Sequence, residues 1–410
     1  MKIRRSTQRV MITGLGVISA LGKNHSEFWQ ALSLGKTGIE PITQVDCSQL
    51  NFKQGAEVKN FNCNDYFEAK RITFLDRFAQ FALIAAREAV ADAGLIKKDL
   101  NNHRSSVITG SAMGGKLTED EGFYRLYHEK KQRASPVIIP NAMANAGASQ
   151  ISYEFGITGP SYNFSTACSS SMHAIGHAFW LIRQGTIDRA ITGGSEALFS
   201  LGQMKAWEGM RIISQDACRP FSKNRRGMIL GEGGAMLILE SYDAAKARNA
   251  KIYGEIVGFG MSSDGTHLTD PDSSGQQNAI MAGLNDAKIS VNDIHYIHAH
   301  GTGTQLNDKV ESQTIHAVFG NHTANLLVNS TKAAHGHLLG ASGAIETIAT
   351  ILSLNHQIIP PTLNFLEKDS LCDIPLVINQ AMRSKINYAI CNSFAFGGLN
   401  AILVLGKFSE

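Results

Sequence analysis

Apolar residues along the chain follow two patterns that alternate from one end to the other. Nearly uninterrupted β-rich runs occur at 9–19, 105–113, 189–198, 233–240, 251–261, 294–302, 325–333, 387–396 and 400–406. Between them, apolar residues recur with helical spacing at 74–94, 169–184, 274–288 and 307–319. Runs of this kind are typical of strands covered by helices on both faces. The pattern predicts an α/β protein.

Two of the strand runs resemble each other. Both "VMITGLGVIS", near residue 10, and "EIVGFGMSSD", near residue 255, read as a strand with Gly-x-Gly followed by small polar residues. No Pro/Gly/Ser-rich linker or low-complexity tract separates the two halves of the chain. We therefore expect an internal duplication, with units at 1–250 and 251–410 that share one core.

Composition narrows the class of protein. With 410 residues, 43% hydrophobic and 18% charged, the chain is long and apolar enough for a large buried core. A formal charge of +3 without like-charge runs argues against a nucleic-acid partner. The six cysteines are far apart and show no CxxC pair, which favours neither disulfides nor a zinc site and fits a reducing cytoplasm.

Two superficial signals at the N-terminus are set aside. Lys2, Arg4, Arg5 and Arg9 precede an apolar run, as in a secretory signal, but the run contains three glycines and no cleavage site follows it. Gly14-Leu15-Gly16 suggests a dinucleotide fingerprint, yet Ser19 stands where the third glycine belongs. With no apolar stretch long enough for a membrane span, we expect a cytoplasmic protein.

Cys168, in "STACSSSMHAIG", lies where a helical pattern begins. A thiol at a helix N-terminus is close to unpaired N–H groups and the positive end of the helix dipole, so we expect a lowered pKa and a nucleophilic role. The alternative is a small side chain that only packs in the core, which is the commoner role of a single cysteine.

Two later motifs favour the nucleophile. "HAHGTGT" (298–304) places His300 at the end of a strand run, and "TKAAHGHLLGASGAIET" (331–347) places Lys332 and His337 in a glycine-rich connection. Lys332 and Glu346 are expected to form a buried ion pair. A cysteine with two histidines supplies a nucleophile with acid, base or oxyanion groups. The spacing of these residues matches no zinc signature.

Together these motifs resemble the β-ketoacyl-[acyl-carrier-protein] synthase family, in its elongating Cys-His-His type. The resemblance rests on "RVMITGLGVIS", "GPSYNFSTACSSS", "AHGTGTQLND", "NSTKAAHGHLLGASGAIE" and "NSFAFGGLN", in the family's order. It implies the thiolase fold, in which two βαβαβαββ halves form five layers, α-β-α-β-α. The first half, which carries the cysteine, would be enlarged by insertions around 40–75 and 110–150, and the second would carry the histidines.

The resemblance also implies catalytic roles. Cys168 would carry the acyl chain, while His300 and His337 would promote decarboxylation of a malonyl group and stabilise the enolate. Lys332, paired with Glu346, would hold His337 and tune the site electrostatically. The backbone N–H groups of Cys168 and Phe396 would form an oxyanion hole, with Phe396 and Ala395 in a gate.

Binding roles follow from the same resemblance. Thr302, Thr304 and Thr269 would bind pantetheine, and Met113 would close the acyl pocket. The partner would be an acidic acyl-carrier protein, with Lys70, Lys131, Arg133 and Arg211 as docking candidates. Substrates would arrive on the carrier's phosphopantetheine, so we expect no separate cofactor and no metal. The enzyme would form a homodimer, or a heterodimer with a chain-length-factor subunit.

Several residues depart from the family's pattern. Ala395 replaces a glycine in the gate, His298 replaces an asparagine, Cys391 replaces a serine, and His335 is unusual. Positions 298 and 391 lie near a structural cation in some members of the family.

Two other functions remain open at this stage. A non-catalytic chain-length-factor subunit would lack Cys168. A thiolase acting on coenzyme A would need a second catalytic cysteine, for which only Cys372 and Cys391 occur late in the chain.

Overall fold

Ten strands form one continuous sheet in the computed structural model, which describes residues 7–409. Their bounds are β1 Val10–Ser19, β2 Ser105–Gly110, β3 Ser161–Phe164, β4 Arg189–Glu196, β5 Gly233–Ser241, β6 Gly254–Ser263, β7 Tyr296–His298, β8 Leu327–Asn329, β9 Tyr388–Ala395 and β10 Leu399–Gly406. Two short pairs lie apart from this sheet, Glu40–Pro41 with Gln54–Gly55 and Ile358–Ile359 with Met382–Arg383. Nine strands of the large sheet overlap an apolar run of the sequence, which confirms the prediction for them. The sequence analysis missed β3, because Ser161–Phe164 is short and alternates polar with aromatic residues.

Helices connect these strands. The longer ones are α1 His25–Ser33, α2 Arg77–Asp92, α3 Lys116–Tyr127, α4 Ala146–Phe155, α5 Ser170–Arg183, α6 Leu201–Gly209, α7 Ser273–Ala287, α8 Gln305–Phe319 and α9 Ser342–His356. Short α-helices span Ala69–Ile72, Lys97–Leu100, Ile138–Ala142, Tyr242–Ala247 and Lys332–His335. The four stretches with helical spacing became α2, α5, α7 and α8. Side-chain caps define some of the starts: Asp76 accepts from the N–H of Phe78 before α2, and Asp272 caps α7 in the same way.

The strand order is the same in the first and last five strands. It runs β3-β2-β4-β5-β1 in one set and β8-β7-β9-β10-β6 in the other. In each set the three strands at the far edge are parallel, and the remaining pairings are antiparallel. Within residues 7–409, strands of the two sets pair where Val10–Ile12 meets Gly254–Ile256, which joins β1 to β6.

The Gly-x-Gly pairs have the same packing role in both sets. A Cβ on Gly16 would lie 1.9 Å from the carbonyl oxygen of Ala85 in α2, and one on Gly260 would lie 2.1 Å from that of Ala279 in α7. These glycines let a helix backbone approach the strand closely. They lie within β1 and β6 rather than in a phosphate-binding turn, which agrees with setting the dinucleotide fingerprint aside.

Five layers follow from the helix packing. Helices α2 and α4 cover the first strand set, and α7 covers the second with α8 packed against it. Helices α5 and α9 pack against each other and contact strands of both sets, so they form the middle layer. The largest apolar cluster lies here, around Met172, Ile175 and Phe179 of α5 and Ile345 and Ile348 of α9. This α-β-α-β-α order confirms the expected architecture. Within residues 7–409, no helix is both long and apolar enough to cross a membrane.

Candidate active site

Cys168 lies in the connection between β3 and the middle-layer helix α5. The connection turns sharply, with Ala167 at φ 49°, in a left-handed region that residues other than glycine seldom adopt. Residues Ala167–Ser169 then form a 3₁₀ turn before α5 begins at Ser170. Ser393 of β9 donates to the carbonyl oxygen of Cys168 at 3.1 Å. The backbone that carries the thiol is thus held by both strand sets.

His300 follows β7 in the second set. Its backbone N–H and that of Gly301 donate to the two carboxylate oxygens of Glu311 in α8, each at 2.8 Å. Glu311 is fully buried and also accepts from the side-chain amide of Asn392 at 3.1 Å. This carboxylate fixes the loop that carries the imidazole.

Lys332 and His337 lie in the connection from β8 to α9. The Lys332 ammonium donates to the carbonyl oxygen of His300 at 2.6 Å, lies 3.3 Å from His300 Nδ1 and contacts Glu346 Oε1. Lys332 and Glu346 are both fully buried. The ion pair expected from the sequence is therefore present. Its ammonium contacts His300 rather than His337, which it was expected to hold, because His337 Nδ1 faces Ser342 and Leu339 instead.

Cys168, His300 and His337 converge on one cavity of about 570 Å³. One thiol or ring-nitrogen atom from each of the three lies within 4.8 Å of the others, and the two imidazole rings stand nearly perpendicular at 82° with centroids 5.5 Å apart. The further predicted site residues that line the cavity are Thr269, Thr302, Thr304, Ala395, Phe396 and Arg211.

Hydrogen bonds define which nitrogen of each imidazole carries the proton. His337 Nδ1 accepts from the N–H of Leu339 at 3.2 Å and lies 2.8 Å from Ser342 Oγ. His300 Nδ1 faces the Lys332 ammonium, which can only donate. In both neutral rings the proton is therefore on Nε2. The site has two N–H donors on its imidazoles.

Burial sets the charge state of these groups. Burial, together with the Lys332 ammonium, lowers the pKa of both His300 and His337 well below the ordinary histidine value, so both rings are neutral. Burial raises the pKa of the Cys168 thiol to about 11, although the ammonium and the Phe396 N–H act in the opposite direction. The expectation of a lowered cysteine pKa was wrong, because desolvation outweighs the helix N-terminus in the free protein.

Polar and aromatic residues line the rest of the cavity. The Thr302 and Thr304 hydroxyls lie 2.9 Å apart, and Thr269 is an exposed part of the lining. Ala395 and Phe396 line it at the end of β9, where Gly397 and Gly398 turn the chain with φ values of 82° and 68°. Phe396 also points its N–H at the Cys168 sulfur.

Four predicted residues lie away from the cavity. Met113 is half-buried and packs against an apolar cluster that includes Phe52, Leu198 and Phe199. Lys70, Lys131 and Arg133 are exposed and are not part of the cavity wall. Arg211 is exposed and forms part of it. The pocket role of Met113 and the docking role of the four basic residues stay predictions.

Some residues of the site were missed in the sequence. Glu311, the carboxylate under His300, lies in an ordinary helical pattern with no signal beyond its spacing from "HGTGT". Trp207 and Met210, from α6 and the turn after it, form an apolar wall, and Arg226 lies on the cavity as well. These residues come from segments with weak periodicity, so nothing in the sequence linked them to Cys168.

Family models match both parts of the chain. The model described as "Beta-ketoacyl synthase, N-terminal domain" matches residues 7–245, and "Beta-ketoacyl synthase, C-terminal domain" matches residues 253–366.

Curated relatives agree. Nodulation protein E of Rhizobium sp. (strain N33) is 40% identical over 97% of this chain and 98% of its own length. The 3-oxoacyl-[acyl-carrier-protein] synthase 2 of Coxiella burnetii is 39% identical over 98% of this chain and 99% of its own length.

Solved structures extend the likeness to three dimensions. The ishigamide ketosynthase/chain length factor superposes with a TM-score of 0.95 at 33% identity, over 98% of this chain and 100% of that one. A type II polyketide ketosynthase in complex with its acyl-carrier protein and bound to the hexaketide superposes with a TM-score of 0.90. Its sequence is 29% identical, over 98% of this chain and 100% of that one.

The fold and site therefore define a thiolase-fold condensing acyltransferase with a Cys-His-His centre. The chain belongs to the β-ketoacyl synthase family. It is an enzyme of the 3-oxoacyl-[acyl-carrier-protein] synthase class.

Proposed function

We propose that the protein condenses an acyl group held on Cys168 with a malonyl group delivered on an acyl-carrier protein, in fatty-acid or type II polyketide biosynthesis. The observation that carries this proposal is the pair of neutral imidazoles, each with its proton on Nε2, beside a buried thiol. Two N–H donors on buried imidazoles suit a reaction that develops negative charge on a thioester oxygen.

The first half-reaction loads Cys168. Its sulfur attacks the acyl thioester, the bond to the carrier's thiol breaks, and the proton of Cys168 ends on the released thiol. The N–H groups of Cys168 and Phe396 stabilise the tetrahedral oxyanion. The Lys332 ammonium favours the thiolate that burial disfavours, so it lowers the cost of forming the nucleophile.

The second half-reaction forms the new carbon–carbon bond. The malonyl group loses carbon dioxide, and its electron pair moves onto the thioester as an enolate whose oxygen accepts from Nε2–H of His300 and His337. The enolate carbon attacks the acyl carbonyl, and the bond to Cys168 breaks. The Cys168 thiolate takes up one proton from solvent through the cavity, and the β-ketoacyl chain leaves on the carrier.

Substrate delivery uses the rest of the cavity. Thr302, Thr304 and Thr269 line the path along which a pantetheine arm would reach Cys168, which supports their role as its hydrogen-bond partners. The arm belongs to the carrier, so the reaction needs no separate cofactor. Arg211 lies at the cavity and Lys70, Lys131 and Arg133 lie elsewhere on the surface, and we assign all four to docking of an acidic carrier.

The proposal also covers the acyl pocket, the access to Cys168 and the oligomer. Met113 would close the acyl pocket, and Phe396 with Ala395 would open and close access to Cys168. The enzyme would act as a homodimer or as a heterodimer with a chain-length-factor subunit. The solved ishigamide ketosynthase/chain length factor supports the second arrangement.

The two alternative functions are not favoured. A non-catalytic subunit would lack the nucleophile that Cys168 provides. A thiolase would need a second cysteine at the cavity, but among residues 7–409 Cys168 is the only cysteine that lines it. Cys372 and Cys391 are buried elsewhere.

Separate assays of the two half-reactions test the proposal. His300→Ala and His337→Ala should still acquire the acyl group, seen by intact mass, but should release carbon dioxide from malonyl-carrier protein about 10²–10³-fold more slowly, since each loses one oxyanion donor. Cys168→Ser is the matched control, because it should lose acyl loading with its fold intact. Near wild-type decarboxylation in both histidine variants, or an acyl adduct on Cys168→Ser, would overturn the assignment.

A further inference from the structure

A buried carboxylate at the end of β4 holds two segments of the site together. Glu196 is the last residue of β4, is fully buried and is not part of the cavity lining. Strands β2 and β4 are parallel neighbours, so their carboxyl ends lie at the same edge of the sheet. Glu196 is therefore next to the segment that follows β2.

Both oxygens of Glu196 accept hydrogen bonds. Oε1 accepts from the hydroxyl of Ser111 at 2.9 Å and from the N–H of Met113 at 3.2 Å. Oε2 accepts from the N–H of Ala112 at 2.8 Å and from that of Gly340 at 3.0 Å. Burial raises the pKa of Glu196 to about 7, and these donors oppose that rise because they favour the ionised form.

The four donors belong to two different connections. Ser111, Ala112 and Met113 follow β2, whereas Gly340 lies between His337 and α9. The two segments are in close contact, since a Cβ on Gly340 would lie 2.3 Å from the backbone nitrogen of Ala112. One carboxylate thus fixes the segment after β2 against the connection that carries His337.

The side chains of Met113 and Leu339, one from each connection, belong to the same apolar cluster. This cluster also contains three residues of the cavity wall, Trp207, Ile212 and Met228. It therefore extends from the cavity to the segments that Glu196 holds. An acyl chain on Cys168 would lose unfavourable contact with water by extending into it.

We propose that Glu196 is a positioning residue that limits the length of the acyl chain, because it fixes the backbone of Met113 within this cluster. The inference rests on the proposed function, in which Cys168 carries the acyl group. A methionine side chain is flexible and adapts to what it packs against, so it sets a firm limit only if its backbone is held. A longer chain that moved this backbone would leave a buried carboxylate without a donor, which is costly.

The second strand set contains a similar arrangement. There, Glu311 accepts from the consecutive N–H groups of His300 and Gly301, which follow β7. Strand β7 has the same place in its set as β2 has in the first, between two parallel neighbours. Glu196 accepts from two consecutive N–H groups after β2 in the same way. Each set thus uses a buried carboxylate to hold the segment after its middle parallel strand.

Competition between acyl-carrier proteins whose chains differ by two carbons tests the proposal, with the adduct on Cys168 quantified by intact mass at pH 8. The amide nitrogen that Glu196→Gln introduces cannot accept, so one pair of contacts is lost. This variant should load the longer chain, relative to the shorter one, about 3–10-fold more than the wild type does. That is less than the roughly 15-fold that burial of two methylene groups supplies.

A second variant keeps the test decisive if Glu196→Gln does not fold. Ser111→Ala removes one of the four donors and leaves the carboxylate in place. It should change the ratio of longer to shorter chains in the same direction, by a smaller factor.

Glu240→Gln is the matched control, because Glu240 is a fully buried carboxylate of the neighbouring strand β5 and accepts from Thr13 instead. It should lower Tm without changing the ratio of the two chains. In a Met113→Ala background, Glu196→Gln should add no further change to that ratio, since its effect acts through Met113.

Three results would overturn the role of Glu196: an unchanged ratio in folded Glu196→Gln, an equal change in Glu240→Gln, or independent, additive effects of the substitutions at 113 and 196. Absence of any acyl adduct on wild-type Cys168 would instead overturn the proposed function, and this inference with it.

Discussion

The Cys168 thiol has a raised pKa because its side chain is buried, and the Lys332 ammonium opposes that rise. Below a pKa of about 11, the thiolate fraction increases with pH, so alkylation of the free enzyme by iodoacetamide should accelerate about tenfold per pH unit above neutrality. Lys332→Met should move this profile to higher pH and slow labelling at every pH. The rate of Cys168 labelling, followed by mass spectrometry, measures both effects.

Lys98→Met serves as a control, because Lys98 is exposed on a short helix of the surface and should leave the profile unchanged. A labelling rate that reaches its plateau near neutral pH would show that the thiolate is already formed in the free enzyme. That result would contradict the dominance of burial over the ammonium.

At the residue level, the sequence predicted the reacting groups better than their surroundings. The motifs around Cys168, His300, His337 and Lys332, with the family resemblance they carry, suggested that these residues act together. The structure brings them together. The direction of the cysteine pKa was wrong because burial depth depends on tertiary packing, which a local helix pattern does not contain. Glu311 was missed for the same reason.

Among the elements, β2 and the start of α5 pack with almost no space between them. A Cβ on Gly110 would lie 2.2 Å from the backbone nitrogen of Ser171, which cannot move without displacing the turn that holds Cys168. Gly110→Ala should therefore destabilise the protein by about 1–3 kcal/mol and reduce acyl loading. Thermal unfolding and intact mass after acylation measure the two effects.

Gly209→Ala provides the matched substitution, since nothing lies within 4 Å of a Cβ at the end of α6. It should leave both stability and loading close to wild type. Equal losses in the two variants would show that the contact between β2 and α5 has no special role.

Helices α2, α5, α7 and α8 could be predicted from periodicity to within a few residues of their ends. The placement of α5 and α9 in the middle layer could not, because a helical pattern shows only that apolar residues recur. Helix α9 is buried from Ser342 to Leu354. Because several of these residues are polar, the sequence does not indicate that the helix is buried on all sides. The sequence also could not predict that β7 and β8 have only three residues each, because both lie within longer apolar runs.

For the whole molecule, the formal charge of +3 is too small to attract an acidic carrier by itself, so docking depends on local charge. Arg211 is exposed at the cavity and has a left-handed backbone with φ 57°. Arg211→Asn removes the charge and tolerates this conformation. It should raise KM for carrier-bound substrate about 2–5-fold, and the difference in KM between this variant and the wild type should shrink in high salt.

Arg211→Lys keeps the charge and should behave almost as wild type. Free acyl-pantetheine analogues should react equally with all three proteins, since they do not use the docking surface. A similar loss on free and carrier-bound substrates would instead place the effect of Arg211 inside the cavity.

The fold class could be predicted from motifs and alternating patterns, and the repeated strand order agrees with an internal likeness first seen in two glycine-containing strands. A division of the chain at residue 250 stays a prediction. The contact of β1 with β6 through only three residue pairs, and the mixing of the two strand sets around α5 and α9, are properties of the folded chain. No single segment carries them.

Cys168 and His337 occupy equivalent places, each in the connection that leads from a third strand into a middle-layer helix. In the proposed reaction, one connection supplies the thiol that holds the acyl group, and the other supplies an imidazole that stabilises the enolate. The two parts of the reaction are therefore divided between two copies of the same strand-to-helix connection. A change in one connection can alter the choice of acyl donor without altering the treatment of the malonyl group, so selection can tune the two substrates separately.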